Sequence, residues 1–196
     1  AAPPAALHPL VGKVYRVGSD KPVAISVLLQ AMSESSVVYL GETHDNPAHH
    51  HIEQQVFNML LEAGVRPALG FEFFSREQTS HLLRYRNGAK RRSAHGDSSA
   101  AEQLLRAQLG WEAGRERDWQ RFIPMLRQVR EQQLPIFGAD LPAALRLNLA
   151  RNGYEGLNPV ERLQLTRSEF EDPVYRIWML EQLRVAHCGW GGPAYL

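Results

Sequence analysis

Apolar and polar positions alternate along the chain in two periods, one typical of strands and one typical of helices. Short apolar runs between Gly, Pro and polar residues predict strands at 13–17 and 22–27, paired as an N-terminal hairpin, and at 37–41, 67–73 and 135–139. Apolar residues at helical spacing predict helices at 47–63, 75–86, 98–108, 116–132, 142–152, 159–169 and 173–187. Because the last three strands alternate with helices, the pattern predicts an α/β fold with a parallel sheet.

The predicted helix starts carry local signals. Three of them place a capping residue before proline: Asn46-Pro47, Asn158-Pro159 and Asp172-Pro173. Ser75 and Gln78 have the spacing of a capping box. Pro124 lies inside the predicted helix 116–132, and it is expected to bend the helix unless it sits in the first turn.

Each of the three later strands is followed by, or contains, an acidic residue. These are Glu42, Glu72 and Asp140. If the strands are parallel, the three carboxylates gather along one edge of the sheet, where ligands bind in open α/β folds. The alternative is that each acid caps the following helix, and for Asp140 this alternative is equally acceptable.

The segment VVYLGETHDNPAHHH, residues 37–51, is the most informative part of the chain. Its apolar run predicts a buried strand, and on an extended backbone Glu42 and His44 point to the same side. The three consecutive histidines 49–51 fan around the next helix, so at most two of them can face one ligand. The segment predicts a metal or cofactor pocket, or a hydrogen-bonded switch in the turn.

Glu42, His44 and Glu72 together offer one imidazole and two carboxylates. This set suits a divalent metal with open positions, or a general base oriented by an acid. His44 can equally be a turn histidine that donates to Glu72. The sequence contains no nucleophile elbow, phosphate-binding glycine loop, HExxH helix or dinucleotide fingerprint.

Tyrosine is an accepted axial ligand of ferric haem, and imidazole can bind haem iron or donate to a propionate. We rank the tyrosines by the predicted course of the chain. If the helix at 159–169 packs back antiparallel, Tyr175 returns towards Glu42 and His44, whereas Tyr154 and Tyr85 lie at the far ends of their helices. A tyrosine half-buried with its hydroxyl in water is the structural alternative for each.

Composition and charge limit the classes of protein to which the chain can belong. The chain has 196 residues, 44% of them hydrophobic, and a net charge of +1, which suits one soluble domain and gives no general case for nucleic-acid binding. No apolar run reaches the 18 residues of a membrane span, and the single cysteine, Cys188, excludes an internal disulfide. Residues 1–9 are expected to be a tether, and 84–98 an exposed basic loop that is either solvated or contacts anionic groups.

The chain resembles the ChaN-like family in five segments: HPLVGKVYRV at 8–17, VVYLGETHDNPAHHH at 37–51, ALGFEFFSREQ at 68–78, LGWEAGRERDWQRFIPML at 109–126 and PIFGADLP at 135–142. This family consists of bacterial iron-regulated haem-binding lipoproteins in a superfamily with Tiki-type metalloproteases and erythromycin-esterase-like proteins. The resemblance implies a three-layer α/β/α domain. It also implies a haem pocket between two monomers, with a tyrosine on iron and basic side chains on the propionates.

The family motif does not place the tyrosine on iron, so Tyr175, Tyr154 and Tyr85 stay candidates in the order that the course of the chain gave them. Our candidates elsewhere on the cofactor are His49, His50 and Arg91. The chain departs from the family pattern at two places. The family continues past HCG at 187–189 with a helical stretch and a strand, so we expect an internal or C-terminal segment to be lacking. No lipid-bearing cysteine stands at the N-terminus, so anchoring is implied by the family alone.

The residues and the resemblance lead to two main hypotheses for the function, each from a different class of protein. The first is a homodimeric haem-binding protein on the periplasmic side of the cell envelope, lipid-anchored to the outer membrane, that holds or relays haem to an uptake machinery during iron acquisition. The second is a metal-dependent hydrolase in which Glu42, His44 and Glu72 hold a metal or activate water. A degenerate domain kept for protein contacts is a third alternative.

Overall fold

The computed structural model describes residues 8, 10–88, 98–111, 116–165 and 172–186. The strands are β1 (Val14–Tyr15), β2 (Pro22–Val23), β3 (Leu69–Ser75) and β4 (Ile136–Asp140). The helices are α1 (Ile25–Glu34), α2 (Pro47–Glu62), α3 (Thr79–Asn87), α4 (Ser98–Gln108), α5 (Glu116–Gln132), α6 (Ala143–Asn152), α7 (Pro159–Arg162) and α8 (Pro173–Ala186). Within the described ranges, no helix has the length and apolar character needed to cross a bilayer.

The strands form two small sheets. β1 and β2 pair antiparallel, with Val14 opposite Val23, as the predicted N-terminal hairpin requires. β3 pairs with β4 in a parallel arrangement, which confirms the predicted α/β class with parallel pairing. The chain divides into two compact units, the first formed by residues 1–69 and 83–136 and the second by 70–82 and 137–196. That 1–196 is a single domain stays a prediction.

In the first unit, helix α1 packs on α2. Met32 of α1 is buried against Val56 and Leu60 of α2, and partly buried apolar residues surround this cluster. α5 contributes the largest set of buried side chains: Trp119, Phe122, Ile123, Met125, Leu126 and Val129. Apolar side chains on successive turns of one face explain why α5 remains a continuous helix from Glu116 to Gln132 although Pro124 lies inside it.

In the second unit, β3 and β4 lie close together. Phe74 of β3 and Leu82 of α3 are fully buried. A side chain at position 138 would overlap the carbonyl oxygens of Phe74 and Ser75, so only glycine fits there. The Gly138 amide donates to the Thr79 hydroxyl at 3.0 Å, which joins the middle of β4 to the start of α3.

The local signals for helices are confirmed. α4 and α5 have the predicted bounds, and α2 begins at Pro47 with the Asn46 side chain accepting from the Ala48 amide at 3.0 Å. A capping box at Ser75 and Gln78 opens a 3₁₀ turn at Arg76–Gln78 that leads into α3. These contacts form within a few residues, so sequence spacing is sufficient to predict them.

The predicted buried strand at 37–41 is wrong. Residues 37–41 are irregular, and Val37 and Tyr39 are 63% and 92% exposed. A strand exists only if a second strand satisfies its backbone groups, and in the described ranges no strand pairs with this run. Its β-branched and aromatic residues favour a strand, but this preference alone does not form one.

Three further boundaries differ from prediction. The strand predicted at 22–27 ends at Val23, because α1 begins at Ile25 and was not predicted at all. The helix predicted at 159–169 ends at Arg162, with turns to residue 165. The basic loop predicted at 84–98 is helical at 84–87, and its residues 89–97 lie outside the described ranges, as do 1–7 and 9 of the predicted tether.

We expect Leu126→Ala to lower the free energy of unfolding by about 2–5 kcal/mol, because it leaves a cavity at a fully buried position of α5. Leu104→Ala is the matched control. It removes the same atoms in the same unit from a side chain that is 60% exposed, and the expected change is within about 0.5 kcal/mol. Urea unfolding followed by tryptophan fluorescence measures both, and equal losses would contradict the burial of Leu126.

Candidate functional site

The turn between residues 42 and 50 is held by its own histidines. The Asn46 amide donates to the Thr43 carbonyl at 2.9 Å, which closes a turn. The Thr43 amide then donates to Nδ1 of His49 at 2.8 Å. Because Asn46 and Pro47 start α2 directly after this turn, His49 and His50 lie in the first turns of the helix and reach back over the preceding chain.

A carboxylate lies between two of the imidazoles. Glu42 Oε1 is 2.9 Å from His44 Nδ1, and Glu42 Oε2 is 2.8 Å from His50 Nδ1. The Glu42 side chain is 7% exposed and His50 is equally buried, whereas the His44 side chain is 64% exposed. We call Glu42, His44, His50 and Glu53 the Glu42 cluster; Glu53 Oε2 lies 3.7 Å from His50 Nδ1.

The backbone carbonyl of His44 joins this turn to α5. It accepts from His50 Nε2 at 3.0 Å and from Arg121 Nη1 at 2.6 Å. The His50 ring also meets Phe122 edge-on, with centroids 6.0 Å apart. One carbonyl oxygen with two donors therefore fixes the turn to both α2 and α5 of the first unit.

The three consecutive histidines have different environments, as their helical spacing predicts. His50 is buried, His49 is intermediate and His51 is exposed. A single buried imidazole of the three agrees with the expectation that at most two face one site.

The cluster offers two kinds of chemistry. His44 and Glu42 form a carboxylate–imidazole pair at the surface, the arrangement in which an acid orients a general base. His50 and Glu42 form a buried pair, which either locks the turn or binds a cation. His44 is a turn histidine with Glu42 as an acid partner, whereas the predicted donation from His44 to Glu72 stays a prediction.

The other two predicted acids lie in the second unit. Glu72 is at an exposed position in the middle of β3, between the buried Phe71 and the partly buried Phe73. Asp140 ends β4, accepts from the Leu141 amide at 2.7 Å and pairs with Arg146 of α6. α6 begins after Pro142 without a side-chain cap, so Asp140 stabilises the start of α6 through Arg146 and not as its N-cap.

Tyr175 lies on an exposed apolar stretch of α8. Its ring stacks on Trp178 with centroids 5.8 Å apart and an interplanar angle of 30°. The two side chains are 53% and 54% exposed, and Val174 and Ile177 beside them are more exposed still. The Asp172 carboxylate accepts from the amides of Val174 and Tyr175, which fixes the first turn of α8.

The other two tyrosine candidates are less accessible. Tyr154 opens a 3₁₀ turn after α6, and the Arg162 guanidinium lies 5.2 Å from its ring centroid. Tyr85 is 7% exposed, its ring faces Arg130 at 4.9 Å, and it lines an open cavity of about 330 Å³. Burial raises the pKa of the Tyr85 hydroxyl above its ordinary value, against the opposing positive charge of Arg130.

The sequence did not single out two residues of this site. Glu53 follows His50 by three positions on α2, a spacing that places both on one helix face and could have been read from the sequence. Arg121 comes from α5, 77 positions after His44, and nothing local indicates that contact. Arg91, which the resemblance offered for the cofactor, lies outside the described residues.

The comparisons with known proteins agree with the resemblance. A search of curated proteins found no match. Among solved structures, the chain is similar to ChaN of Campylobacter jejuni in a structure of cofacial haem binding, with a TM-score of 0.60 and 17% identity. The match covers 85% of this chain and 60% of that one, so the chain spans about three fifths of the relative's length.

At that level of identity the structural match shows the fold alone. The model of the family described as "Haem-binding uptake, Tiki superfamily, ChaN" matches residues 28–195, which is most of the sequence. The chain therefore belongs to this family, as the motifs at 37–51 and 68–78 led us to expect.

Proposed function

We propose that the chain is a haem-binding protein of the bacterial cell envelope that holds or relays haem during iron uptake, with the iron bound by a tyrosine. Family membership supports haem as the ligand. The observation that carries the proposal is the exposed aromatic surface of α8, where Tyr175 and Trp178 stack with half of each side chain open to solvent.

The surface of α8 fits a flat apolar ligand. Val174, Tyr175, Ile177 and Trp178 are all more than half exposed, and large apolar side chains grouped in this way mark a binding surface. A phenol among them supplies an iron ligand, and the apolar neighbours supply lining of the kind that encloses cofactors. Tyr175 is therefore our first candidate for the iron, ahead of Tyr154.

The basic partners of the haem propionates are proposed among His49, His50 and Arg91. His49 is the better placed of the two histidines, because its Nδ1 accepts from the Thr43 amide and a neutral ring then carries its proton on Nε2, ready to donate. His50 is buried, with Nε2 on the His44 carbonyl and Nδ1 against Glu42. We keep Arg91 as the cationic candidate on the strength of its charge.

Assembly and location are proposed on the family resemblance. A homodimer would enclose the haem between two copies, and the exposed apolar residues of α8 are a surface that such an arrangement covers. A lipid anchor would hold the protein on the periplasmic side of the outer membrane, where it exchanges haem with an uptake machinery.

Tyr175→Phe removes the proposed iron ligand and leaves the ring in place. We expect it to abolish the tyrosinate-to-iron charge-transfer absorption of the purified protein mixed with ferric haem. We also expect haem affinity to fall by at least about tenfold, or about 1.4 kcal/mol. Tyr154→Phe is the matched control and is expected to retain the band. A band that persists in Tyr175→Phe and disappears in Tyr154→Phe would assign the iron to Tyr154.

Tyr85 is the weakest of the three candidates, because an iron-bound phenolate is the charged form that its burial disfavours. In an alkaline titration we expect one phenolate absorbance step to be displaced to higher pH and to be missing in Tyr85→Phe. The folded state favours the neutral phenol, so this group's contribution to stability is lost as pH rises above about 10, the ordinary tyrosine value. A lost step that lies at the ordinary tyrosine pH of about 10 would contradict the raised pKa.

A metal-dependent hydrolase that uses Glu42, His44 and Glu72 is the second proposal. The observation in its favour is the exposed His44 imidazole held by Glu42 at 2.9 Å, since that pair has the form of an oriented general base. The comparisons give no support for the metal in this alternative.

The variant His44→Ala distinguishes haem binding from metal-dependent hydrolysis. Tyr175 lies on α8 and His44 lies in the turn before α2. We therefore expect the variant to bind ferric haem with an affinity within about twofold of the parent, a difference of about 0.4 kcal/mol. His51→Ala, an exposed neighbour on α2, is the control for loss of an imidazole. Complete loss of haem binding in a His44→Ala protein with an unchanged circular dichroism spectrum would contradict this assignment.

A further inference from the structure

The buried face of the Glu42 cluster gathers three donor atoms of the kinds that bind divalent metals. Donor atoms of Glu42, His50 and Glu53 all lie within 4.8 Å of one another. Two are carboxylate oxygens and one is an imidazole nitrogen, and all three belong to the first unit of the chain. This set differs from the predicted set of Glu42, His44 and Glu72, because it depends on Glu53.

Two of these atoms are buried without a hydrogen-bond partner among the described residues. They are Glu42 Oε2 and His50 Nδ1, and their side chains are each 7% exposed. They lie 2.8 Å apart, but the angles of the contact do not fit a hydrogen bond. Buried polar atoms are almost always satisfied, so two unsatisfied atoms this close to each other indicate a missing third partner.

The hydrogen bonds around these atoms leave both of them available to a cation. His50 Nε2 is 3.0 Å from the His44 carbonyl oxygen, which can only accept, so Nε2 carries a proton and the neutral ring has its lone pair on Nδ1. Glu42 Oε1 is engaged by His44, which orients Oε2 towards His50. Histidine ligands of metals usually donate their second nitrogen to a carbonyl or carboxylate, and ligating carboxylates are themselves hydrogen-bonded.

The donor spacing agrees with one small cation. Metal bonds of about 2.0–2.1 Å in a tetrahedral site place the donor atoms roughly 3.4 Å apart. The distances from His50 Nδ1 are 2.8 Å to Glu42 Oε2 and 3.7 Å to Glu53 Oε2, one on each side of that value. His50 and Glu53 are one helical turn apart on α2, so the helix itself sets their separation.

We propose that Glu42, His50 and Glu53 bind one divalent transition-metal ion, with Zn²⁺ as the probe cation. Two carboxylates and one imidazole provide hard and borderline donors, which suit Zn²⁺, Mn²⁺ and Fe²⁺ and disfavour copper(I). The bound ion leaves at least one coordination position for water. This site uses neither Tyr175 nor any other tyrosine, so it does not depend on which tyrosine binds the haem iron.

The competing explanation is a protonated His50 that forms ion pairs with both acids and needs no metal. The two explanations differ in their response to Glu53. In the metal site, Glu53→Gln removes a charged ligand and weakens Zn²⁺ binding, whereas in the ion-pair explanation no saturable Zn²⁺ binding depends on this residue.

The test is calorimetric titration of Zn²⁺ into the full chain, prepared without a histidine tag and freed of metal by a chelator. We expect one equivalent to bind and to raise the melting temperature. We expect Glu53→Gln to weaken the affinity at least tenfold. Glu62→Gln is the matched control, since it makes the same change at an exposed position of α2, and its affinity is expected to stay within twofold of the parent.

Glu53→Gln keeps the size of the side chain, and circular dichroism of the metal-free variants verifies that both remain folded. Absence of saturable Zn²⁺ binding in the parent chain would overturn the proposal. Equal affinities for Glu53→Gln and Glu62→Gln would also overturn it, because the ion would then be held elsewhere.

Discussion

The carbonyl oxygen of His44 is the point on which the Glu42 cluster depends. It accepts one hydrogen bond from His50 and a second from Arg121, so a turn, the start of α2 and the middle of α5 are tied at one atom. The first bond fixes the His50 tautomer, and this in turn decides what Nδ1 can offer to Glu42 and Glu53. Without that carbonyl the buried imidazole of His50 would have no defined orientation. The turn would then lose its attachment to α2, and the donor atoms of the proposed cation site would no longer be held in place.

The same constraint argues against the haem contact that the sequence analysis suggested for His50. His50 was a candidate for a haem propionate, yet its two nitrogens face the His44 carbonyl and Glu42 inside the fold. A propionate needs a donor at the surface, and of the two histidine candidates the partly exposed His49 meets that requirement better. The proposed haem surface on α8 and the proposed cation site therefore draw on different residues, and either can be present without the other.

Features that are local in sequence could be predicted, and features that depend on distant partners could not. Asn46 caps α2 through an amide two positions away, so the capping residue and proline are sufficient to place the start of this helix. The run at 37–41 has strand composition, but a strand needs a neighbour, and composition says nothing about whether one is present. α1 was missed although Ile25, Leu28, Leu29 and Met32 have helical spacing, because Pro22 and Val23 drew the segment into the hairpin. Arg121 reaches His44 from 77 positions away, beyond any pattern in the sequence.

The position of His50 within α2 has a consequence for motion. His50 is the fourth residue of this helix, and the end of a helix opens more readily than its centre. The exchange of His50 between its buried and solvent-facing states is thus governed by fraying of one helical turn, which the Asn46 cap opposes, and not by unfolding of the whole unit. The time for which a ligand stays bound to this imidazole therefore depends on the rate of that local opening.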